Sequence, residues 1–260
     1  MSGIRMPAVA GMFYPNDPAE LHAMVAGYLQ DAKPGPAPKA LIAPHAGYIY
    51  SGPIAATAYK RLAAARDTIR RVVLMGPSHR VPFRGIAASS ADTYRTPLGD
   101  IPVDHAALAA IGMLPQVIEL DEAHALEHSL EVHLPFLQEV LGEFTLVPLV
   151  VSDASADEVA EVLELLWGGP ETLIVISSDL SHYHNYDIAQ QMDTATSLAI
   201  ERLEPQKISY EGACGRIPVS GLLSLAQRHG LQAETIDLRN SGDTAGPRNQ
   251  VVGYGAYVFQ

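Results

Sequence analysis

The chain has 260 residues, 48% of them hydrophobic, which is typical of a folded domain with a sizeable core. Its formal net charge of −12, from 17 basic and 29 acidic residues, argues against nucleic acid or an anionic membrane as the main partner. No apolar stretch approaches the roughly 20 residues of a membrane span, the N-terminus lacks a secretory signal, and one cysteine cannot form an internal disulfide, so we expect a cytoplasmic protein.

The predicted elements alternate between helices and strands. The first is an amphipathic helix over 18–32, which Asp17 caps and Pro18 begins. Further helices are predicted over 53–65, 104–112, 131–141, 155–166, 187–203 and 218–229. Strands are predicted over 40–43, 71–75, 85–89, 144–151, 172–177, 232–237 and 251–259. Because several strands are continuously apolar, we expect one three-layer α/β/α domain over 1–260, with a mainly parallel or mixed central sheet.

Three histidines come shortly after predicted buried strands. His45, His79 and His182 stand among glycine, serine and proline residues that let solvent and backbone approach. Each histidine alone is compatible with a loop residue that backbone hydrogen bonds hold in place. Ligands bind beyond the carboxyl ends of strands in open α/β sheets, and imidazole serves as metal ligand and as acid or base. Three equivalent positions therefore favour one shared site.

Further polar residues follow the same strands. Asp179 is either a turn cap or the residue that orients His182 for acid–base chemistry. His184 is expected at the mouth of the same site, whereas Tyr48 is equally compatible with packing at the sheet edge.

The single cysteine, Cys214, lies in a predicted loop between two glycines. One interpretation is a small buried hydrophobic residue. The other is a reactive thiolate, because Arg216 and the start of the following helix would both lower the thiol pKa.

The stretch 124–133 matches a zinc-site pattern. His124, Glu127 and His128 have the His-x-x-Glu-His spacing of inverted zincins, in which Glu127 would act as base. The preceding residues are not convincingly helical, which weakens this interpretation. In the alternative interpretation, His128, Glu131 and His133 do not bind the metal but hold in place the residues that do. Phosphate-binding loops, dinucleotide fingerprints and the nucleophile elbow of serine hydrolases are absent from the sequence.

Seven blocks of the chain together resemble the Memo family, whose bacterial and archaeal members are labelled AmmeMemoRadiSam system protein B. The blocks are AGMFYP, IAPHAGYIYSGPIAATAY, GPSHRVPFRG, YRTPLGD, EHSLEVHLPFLQ, SSDLSHY and CGRIPVSGLL. They run in order from about residue 8 to the C-terminus, so the resemblance covers essentially the whole chain.

The resemblance implies the fold of class III extradiol ring-cleavage dioxygenases. By this resemblance His45 and His79 match two metal-binding histidines, and Cys214 stands where the dioxygenases have a carboxylate ligand. His182 matches their acid–base histidine. The implied metal is Fe(II), with Cu or Zn as alternatives because a thiolate makes the site softer.

The resemblance leaves two classes of function open. The first is a metal-dependent redox or dioxygenase-like enzyme that acts on an unknown small molecule. The alternative is a non-catalytic binding module whose dioxygenase-like pocket recognises a peptide or a partner protein. The family label also implies a radical-SAM protein and an AMMECR1-like protein as partners.

Overall fold

A computed structural model of the chain describes residues 3–260. Over this range the chain forms eight α-helices and twelve strands, together with short 3-10 turns such as Arg61–Ala65 and Glu131–His133. The helices are α1 (Pro18–Asp31), α2 (Tyr48–Lys60), α3 (His105–Ile111), α4 (Glu122–Ala125), α5 (Leu134–Val140), α6 (Ala156–Leu165), α7 (Tyr186–Glu201) and α8 (Arg216–His229). The strands are β1 (Ile4–Arg5), β2 (Ala40–Ala43), β3 (Arg71–Pro77), β4 (Ile86–Ala88), β5 (Thr93–Thr96), β6 (Gly99–Pro102), β7 (Val117–Glu119), β8 (Thr145–Val151), β9 (Thr172–Ser177), β10 (His182–His184), β11 (Ala233–Asn240) and β12 (Val251–Phe259).

A mixed sheet forms the centre of the domain. In the part of the chain described, its strand order is β10-β12-β2-β9-β3-β8-β4-β7, and β11 also pairs with β12. The four neighbours β2, β9, β3 and β8 are parallel, whereas β12 joins β2 and β4 joins β8 in antiparallel fashion. Strands β1, β5 and β6 form a separate small sheet.

The parallel strands are continuously buried, as their apolar sequences predict. All residues of β2 and β9 are buried, and so are those of β3 after its first. Helices cover both faces of the sheet, which confirms the predicted three-layer α/β/α domain with a mixed central sheet. None of the described helices combines the length and the apolar character needed to cross a membrane.

Local signals account for several helix boundaries. The Asp17 side chain accepts hydrogen bonds from the first turn of α1, as predicted. Helix α2 begins at Tyr48, five residues before its predicted start, and continues through Pro53. It can begin there because the carbonyl of Gly47 accepts hydrogen bonds from Tyr50 and Ser51. Pro53 therefore lies inside the helix and costs it one backbone hydrogen bond.

Candidate metal centre

Three neighbouring parallel strands deliver the site residues to one edge of the sheet. Ala43 at the end of β2 is in register with Ser177 at the end of β9, and β3 lies on the other side of β9. His45 and Asp179 follow two of these ends, and the backbone N–H of His45 donates to Asp179 Oδ1 at 2.8 Å. The common direction of the strands thus brings loops that are distant in sequence together.

His45, His79 and His128 form a cluster at this edge. Each offers a nitrogen, and the three nitrogens lie within 4.8 Å of one another. The ring centroids are 5.1 Å apart for His45 and His79, and 4.6 Å apart for His79 and His128, which stack. Three imidazole nitrogens at these separations could bind a single ion.

A serine hydroxyl determines which nitrogen of His45 is protonated. Ser177 Oγ donates its only proton to the carbonyl of Ser129 at 2.6 Å, so it acts as an acceptor towards both neighbouring imidazoles. His45 Nδ1–H therefore donates to Ser177 at 2.6 Å, and His133 Nε2–H donates to it at 2.8 Å. Tyr59 in turn donates to His133 Nδ1 at 2.7 Å. His45 Nε2 is therefore unprotonated, and its lone pair faces Cys214 Sγ at 3.3 Å.

Burial keeps His45 neutral. The ring is 2% exposed, and burial together with the nearby His79 and His128 holds the pKa of His45 well below its usual value. A neutral imidazole with Nδ1–H engaged and Nε2 free is the form that binds metals.

His79 is oriented by a buried carboxylate. Glu127 Oε1 lies 2.8 Å from His79 Nδ1, and Glu127 Oε2 accepts from the backbone N–H of His79 at 2.5 Å. Although burial opposes ionisation, these hydrogen bonds and the interaction with His79 lower the pKa of Glu127 to about 2. An ionised carboxylate only accepts, so His79 carries its proton on Nδ1 and leaves Nε2 free.

His128 presents an unsatisfied buried nitrogen. Its Nδ1 has no hydrogen-bond partner among residues 3–260, and the 3.4 Å approach to Glu127 Oε1 lacks hydrogen-bond geometry. Burial, followed by repulsion from His79, lowers the pKa of His128 to about 4. The ring also packs against Phe13, with centroids 4.9 Å apart. A neutral imidazole with an orphaned polar atom beside two oriented histidines fits a metal-binding position.

Cys214 stands next to His45. Its Sγ lies 3.3 Å from His45 Nε2 and accepts from the backbone N–H of Asp179 at 3.2 Å. Two atoms this close lie within reach of one ion, because Zn–N and Zn–S bonds measure about 2.0–2.3 Å. Cys214 is nevertheless outside the group of donors that all lie within 4.8 Å of one another among residues 3–260, which is formed by His45, His79 and His128. Burial, and then the charge of Asp179, raise the pKa of the Cys214 thiol. Of the two interpretations of Cys214, the structure therefore favours a buried, protonated thiol over a thiolate activated by Arg216, because desolvation has the largest effect on the thiol pKa.

Asp179 faces His45, not His182. Its carboxylate accepts from the His45 backbone and lies 3.9 Å from His45 Nε2. Burial raises the pKa of Asp179 to about 7. No hydrogen bond joins Asp179 to His182 in the part of the chain described, so the structure does not bear out the idea that Asp179 orients His182 directly.

His182 and His184 line a cleft beside the cluster. The cleft has a volume of about 570 Å³, and His79 and Cys214 also line it. Both histidines belong to β10, whose intervening residue Tyr183 has a φ of 61°. Burial lowers the pKa of His182, which keeps its ring neutral and able to accept a proton.

Glu131 and Tyr48 support the site from inside the core. Glu131 is fully buried, pairs with Arg5 and accepts from the backbone of Val9 at 2.9 Å, and so secures the N-terminal segment. Tyr48 is 2% exposed; its backbone N–H donates to the carbonyl of Phe13, the residue that contacts His128. Glu131 acts through this segment, whereas the Tyr48 hydroxyl donates to the carbonyl of Val132 at 2.6 Å. Neither side chain is part of the cluster itself.

His124, the first ligand in the zinc-hydrolase interpretation, is not available to bind a metal. His124 Nδ1 is 2.7 Å from the Tyr94 hydroxyl, and its Nε2 is 3.0 Å from the carbonyl of Ala87. Both ring nitrogens are thus engaged, and α4 is only a four-residue helix. Glu127, the proposed base, holds His79 instead.

The structure is thus a three-layer α/β/α domain with a histidine cluster beyond the ends of its parallel strands. A family model described as Memo-like protein matches residues 5–258. A MEMO1 family protein of Aquifex aeolicus is 37% identical over 98% of this chain and 99% of its own length. A MEMO1 family protein of Sulfolobus acidocaldarius is 36% identical over 96% and 97% of the two chains.

The chain belongs to the Memo family. Among solved structures, it is similar to an uncharacterized protein of Escherichia coli K12, with a TM-score of 0.53 over 84% of this chain and 98% of that one. The sequence identity is 14%, so this likeness concerns the fold alone.

Proposed function

We propose that this Memo-family protein binds a transition metal through His45, His79 and Cys214, with His128 as a further donor. The observation that carries the proposal is which ring nitrogen of His45 and of His79 holds the proton. Ser177 and Glu127 engage Nδ1 of His45 and of His79. Both Nε2 atoms therefore carry a lone pair that can bind a metal ion, and Cys214 Sγ lies 3.3 Å from the one on His45.

The donor set favours Fe(II), with Cu and Zn as alternatives. Imidazole nitrogens suit all three metals, and a thiolate makes the set softer than two histidines and a carboxylate. Binding to the metal would also hold Cys214 as a thiolate, against the burial that otherwise keeps the thiol protonated.

We further propose a redox or dioxygenase-like reaction on a small organic molecule in the adjoining cleft. The bound metal would supply a Lewis acid and, for iron or copper, a site of electron transfer. His182 would take a proton from the substrate, since its neutral ring lines the cleft. Asp179 would act as a positioning residue, because it fixes the backbone of His45.

Metal binding is the direct test. Untagged protein, stripped of metal and titrated anaerobically with Fe(II), is expected to bind one ion per chain. His79→Ala and Cys214→Ala should each weaken binding by at least about tenfold, since each removes a donor. His22→Gln is the matched control, because His22 is exposed, pairs with Glu139 and has no other hydrogen-bond partner among residues 3–260. Equal binding by all four proteins, or none by the wild type with Fe(II), Cu or Zn, would refute the proposal.

Two further parts of the proposal concern the cellular setting. A metal-binding thiol calls for a reducing compartment, which favours the cytoplasm. The label AmmeMemoRadiSam, carried by bacterial and archaeal members of the family, favours a radical-SAM protein and an AMMECR1-like protein as partners. Co-purification from a native extract at endogenous abundance tests both partners together.

A further inference from the structure

The cleft beside the histidine cluster contains a cationic group that the proposed metal site does not use. Its volume of about 570 Å³ is within the range of small-molecule sites. His79 and Cys214 lie at the cluster side, and His182, Arg216 and Tyr210 line the rest. The cleft therefore reaches from the proposed metal ligands to a guanidinium group.

Arg216 lacks an acidic partner. Across residues 3–260 no carboxylate forms an ion pair with its guanidinium, and its side chain makes no hydrogen bond. The residue is half-buried, and the central carbon of its guanidinium lies 5.6 Å from the centroid of the Tyr210 ring. In a chain with 29 acidic and 17 basic residues, an arginine left unpaired inside a cleft is available for a ligand.

We propose that the cleft takes a small molecule with a carboxylate, which Arg216 binds while the rest of the molecule extends towards His79 and Cys214. The planar guanidinium matches a carboxylate through two parallel hydrogen bonds. The reaction of such a molecule rests on the proposed metal function, but its recognition by Arg216 does not.

The surrounding charges are compatible with an anion. His182 is neutral because burial lowers its pKa. Arg216 is the first residue of α8, where the helix dipole adds a partial positive charge. Glu211 also lines the cleft and opposes an anion, but it is exposed, forms no ion pair with Arg216 and is screened by solvent. Arg216 and the start of α8 therefore favour an anion in the cleft, and Glu211 opposes it only weakly.

The single cysteine provides a built-in reporter. Cys214 lines the same cleft as a free thiol. Its alkylation by iodoacetate or by iodoacetamide would form an S–C bond as iodide leaves and the thiol proton passes to solvent. The two reagents differ in one group, since the first carries a carboxylate and the second a neutral amide. The ratio of their rates on metal-free protein reports anion recognition, because the thiol pKa affects both rates equally.

We expect the ratio of the iodoacetate rate to the iodoacetamide rate to be about tenfold higher for wild-type protein than for glutathione. The iodoacetate rate should reach a plateau at high reagent concentration, and benzoate should slow it. In Arg216→Gln the ratio should fall to the glutathione value while the iodoacetamide rate stays the same. Arg216→Lys should keep part of the preference, and Glu211→Gln should increase it. Mass spectrometry follows the single modification.

An unchanged ratio in Arg216→Gln would overturn the proposal, whether or not the protein binds metal. A ratio that depends on Arg216 in a protein that binds no Fe(II), Cu or Zn would support carboxylate recognition and refute only the metal function. If the thiol is inert to both reagents, benzoate binding by saturation-transfer NMR decides in the same way. Equal binding of benzoate to wild type and Arg216→Gln, or to neither, would overturn the proposal.

Discussion

At the scale of single residues, the hydroxyl of Ser177 connects the core to the histidine cluster. It accepts from His45 and His133 and donates to Ser129, so all of its hydrogen-bonding capacity is used. Such a group sets the tautomer and the orientation of a metal-binding imidazole without touching the metal.

Ser177→Ala should therefore weaken both stability and metal binding. Two buried imidazole N–H groups would lose their acceptor, at a cost of about 1–3 kcal/mol in the free energy of unfolding. Metal affinity should fall about 10- to 100-fold, because His45 Nδ1 no longer has a fixed partner. Urea unfolding and metal titration measure the two effects. Ser220→Ala, a buried serine in α8, is the control; an affinity loss equal to that of Ser177→Ala would contradict the argument.

The sequence predicts which histidines come together better than it predicts what holds them. His45 and His79 could be proposed from their positions after buried strands. His128 could be proposed only as a zinc ligand beside His124 or as a residue that supports metal ligands. Its place beside His45 and His79 could not be predicted, because residues 127–129 have no regular structure and Glu127 orders them by accepting from the backbone N–H groups of His128 and Ser129. The partner of Asp179 was equally beyond prediction, since a strand end does not reveal which neighbouring loop its side chain contacts.

At the scale of elements, β10 carries the backbone strain that lies closest to the cleft. Tyr183 is 70% exposed and has a φ of 61°, in the left-handed region that costs an L-residue about 1–2 kcal/mol. The pairing of β10 with β12 is irregular between His182 and His184. The strained residue therefore separates two histidines that both line the cleft.

A glycine at position 183 should be more stable than an alanine. Tyr183→Gly and Tyr183→Ala both remove the ring, so their difference isolates the backbone. We expect the glycine variant to be more stable by about 1 kcal/mol, the reverse of the order in an ordinary strand. Chemical unfolding of the two variants measures this difference. A more stable alanine variant would show that Tyr183 does not hold the left-handed conformation in solution.

Asp193, which lies on α7 and contacts β12, should make the free energy of unfolding depend on pH. Burial raises the pKa of Asp193 to about 6; its Oδ1 accepts from the Ser181 backbone at 3.0 Å, and the carboxylate packs directly over Gly253. The folded state then binds more protons than the unfolded state between pH about 4 and about 6. Asp193 therefore makes stability fall as pH rises through this window.

Asp193→Asn should remove this dependence. Asparagine keeps an oxygen for the Ser181 N–H but does not ionise. Between pH about 4 and 7, wild-type protein should lose roughly 3 kcal/mol relative to the variant, since one pKa unit corresponds to about 1.4 kcal/mol. Denaturant titrations at several pH values test this expectation. Parallel pH profiles of the two proteins would contradict it.

Apolar strands and helix caps can be predicted from the sequence of this chain, whereas elements that depend on contacts between distant residues cannot. The buried parallel strands and the cap at Asp17 follow from local patterns. Strand β10 is not predictable because its three residues, His-Tyr-His, carry no strand pattern and, within the part of the chain that the structure describes, pair with β12 alone. The early start of α2 was missed because Pro53 is more usual at the first turn of a helix.

At the scale of the whole molecule, the parallel centre of the sheet explains why one cluster forms. Strands β2, β9 and β3 are adjacent and point the same way, so the residues that follow them meet at one edge. Binding an ion there would link these strand exits in the folded state only. Metal should therefore raise the stability of the entire domain, by about 2.7 kcal/mol at a free concentration of 100 times Kd.

Anomalous diffraction at the iron edge, from untagged crystals grown anaerobically with Fe(II), tests the central claim most directly. We expect one peak bonded to Nε2 of His45 and of His79 and to Sγ of Cys214, at about 2.0–2.3 Å from each. A crystal with no peak at these residues, or with its only peak elsewhere, would contradict the proposed metal centre.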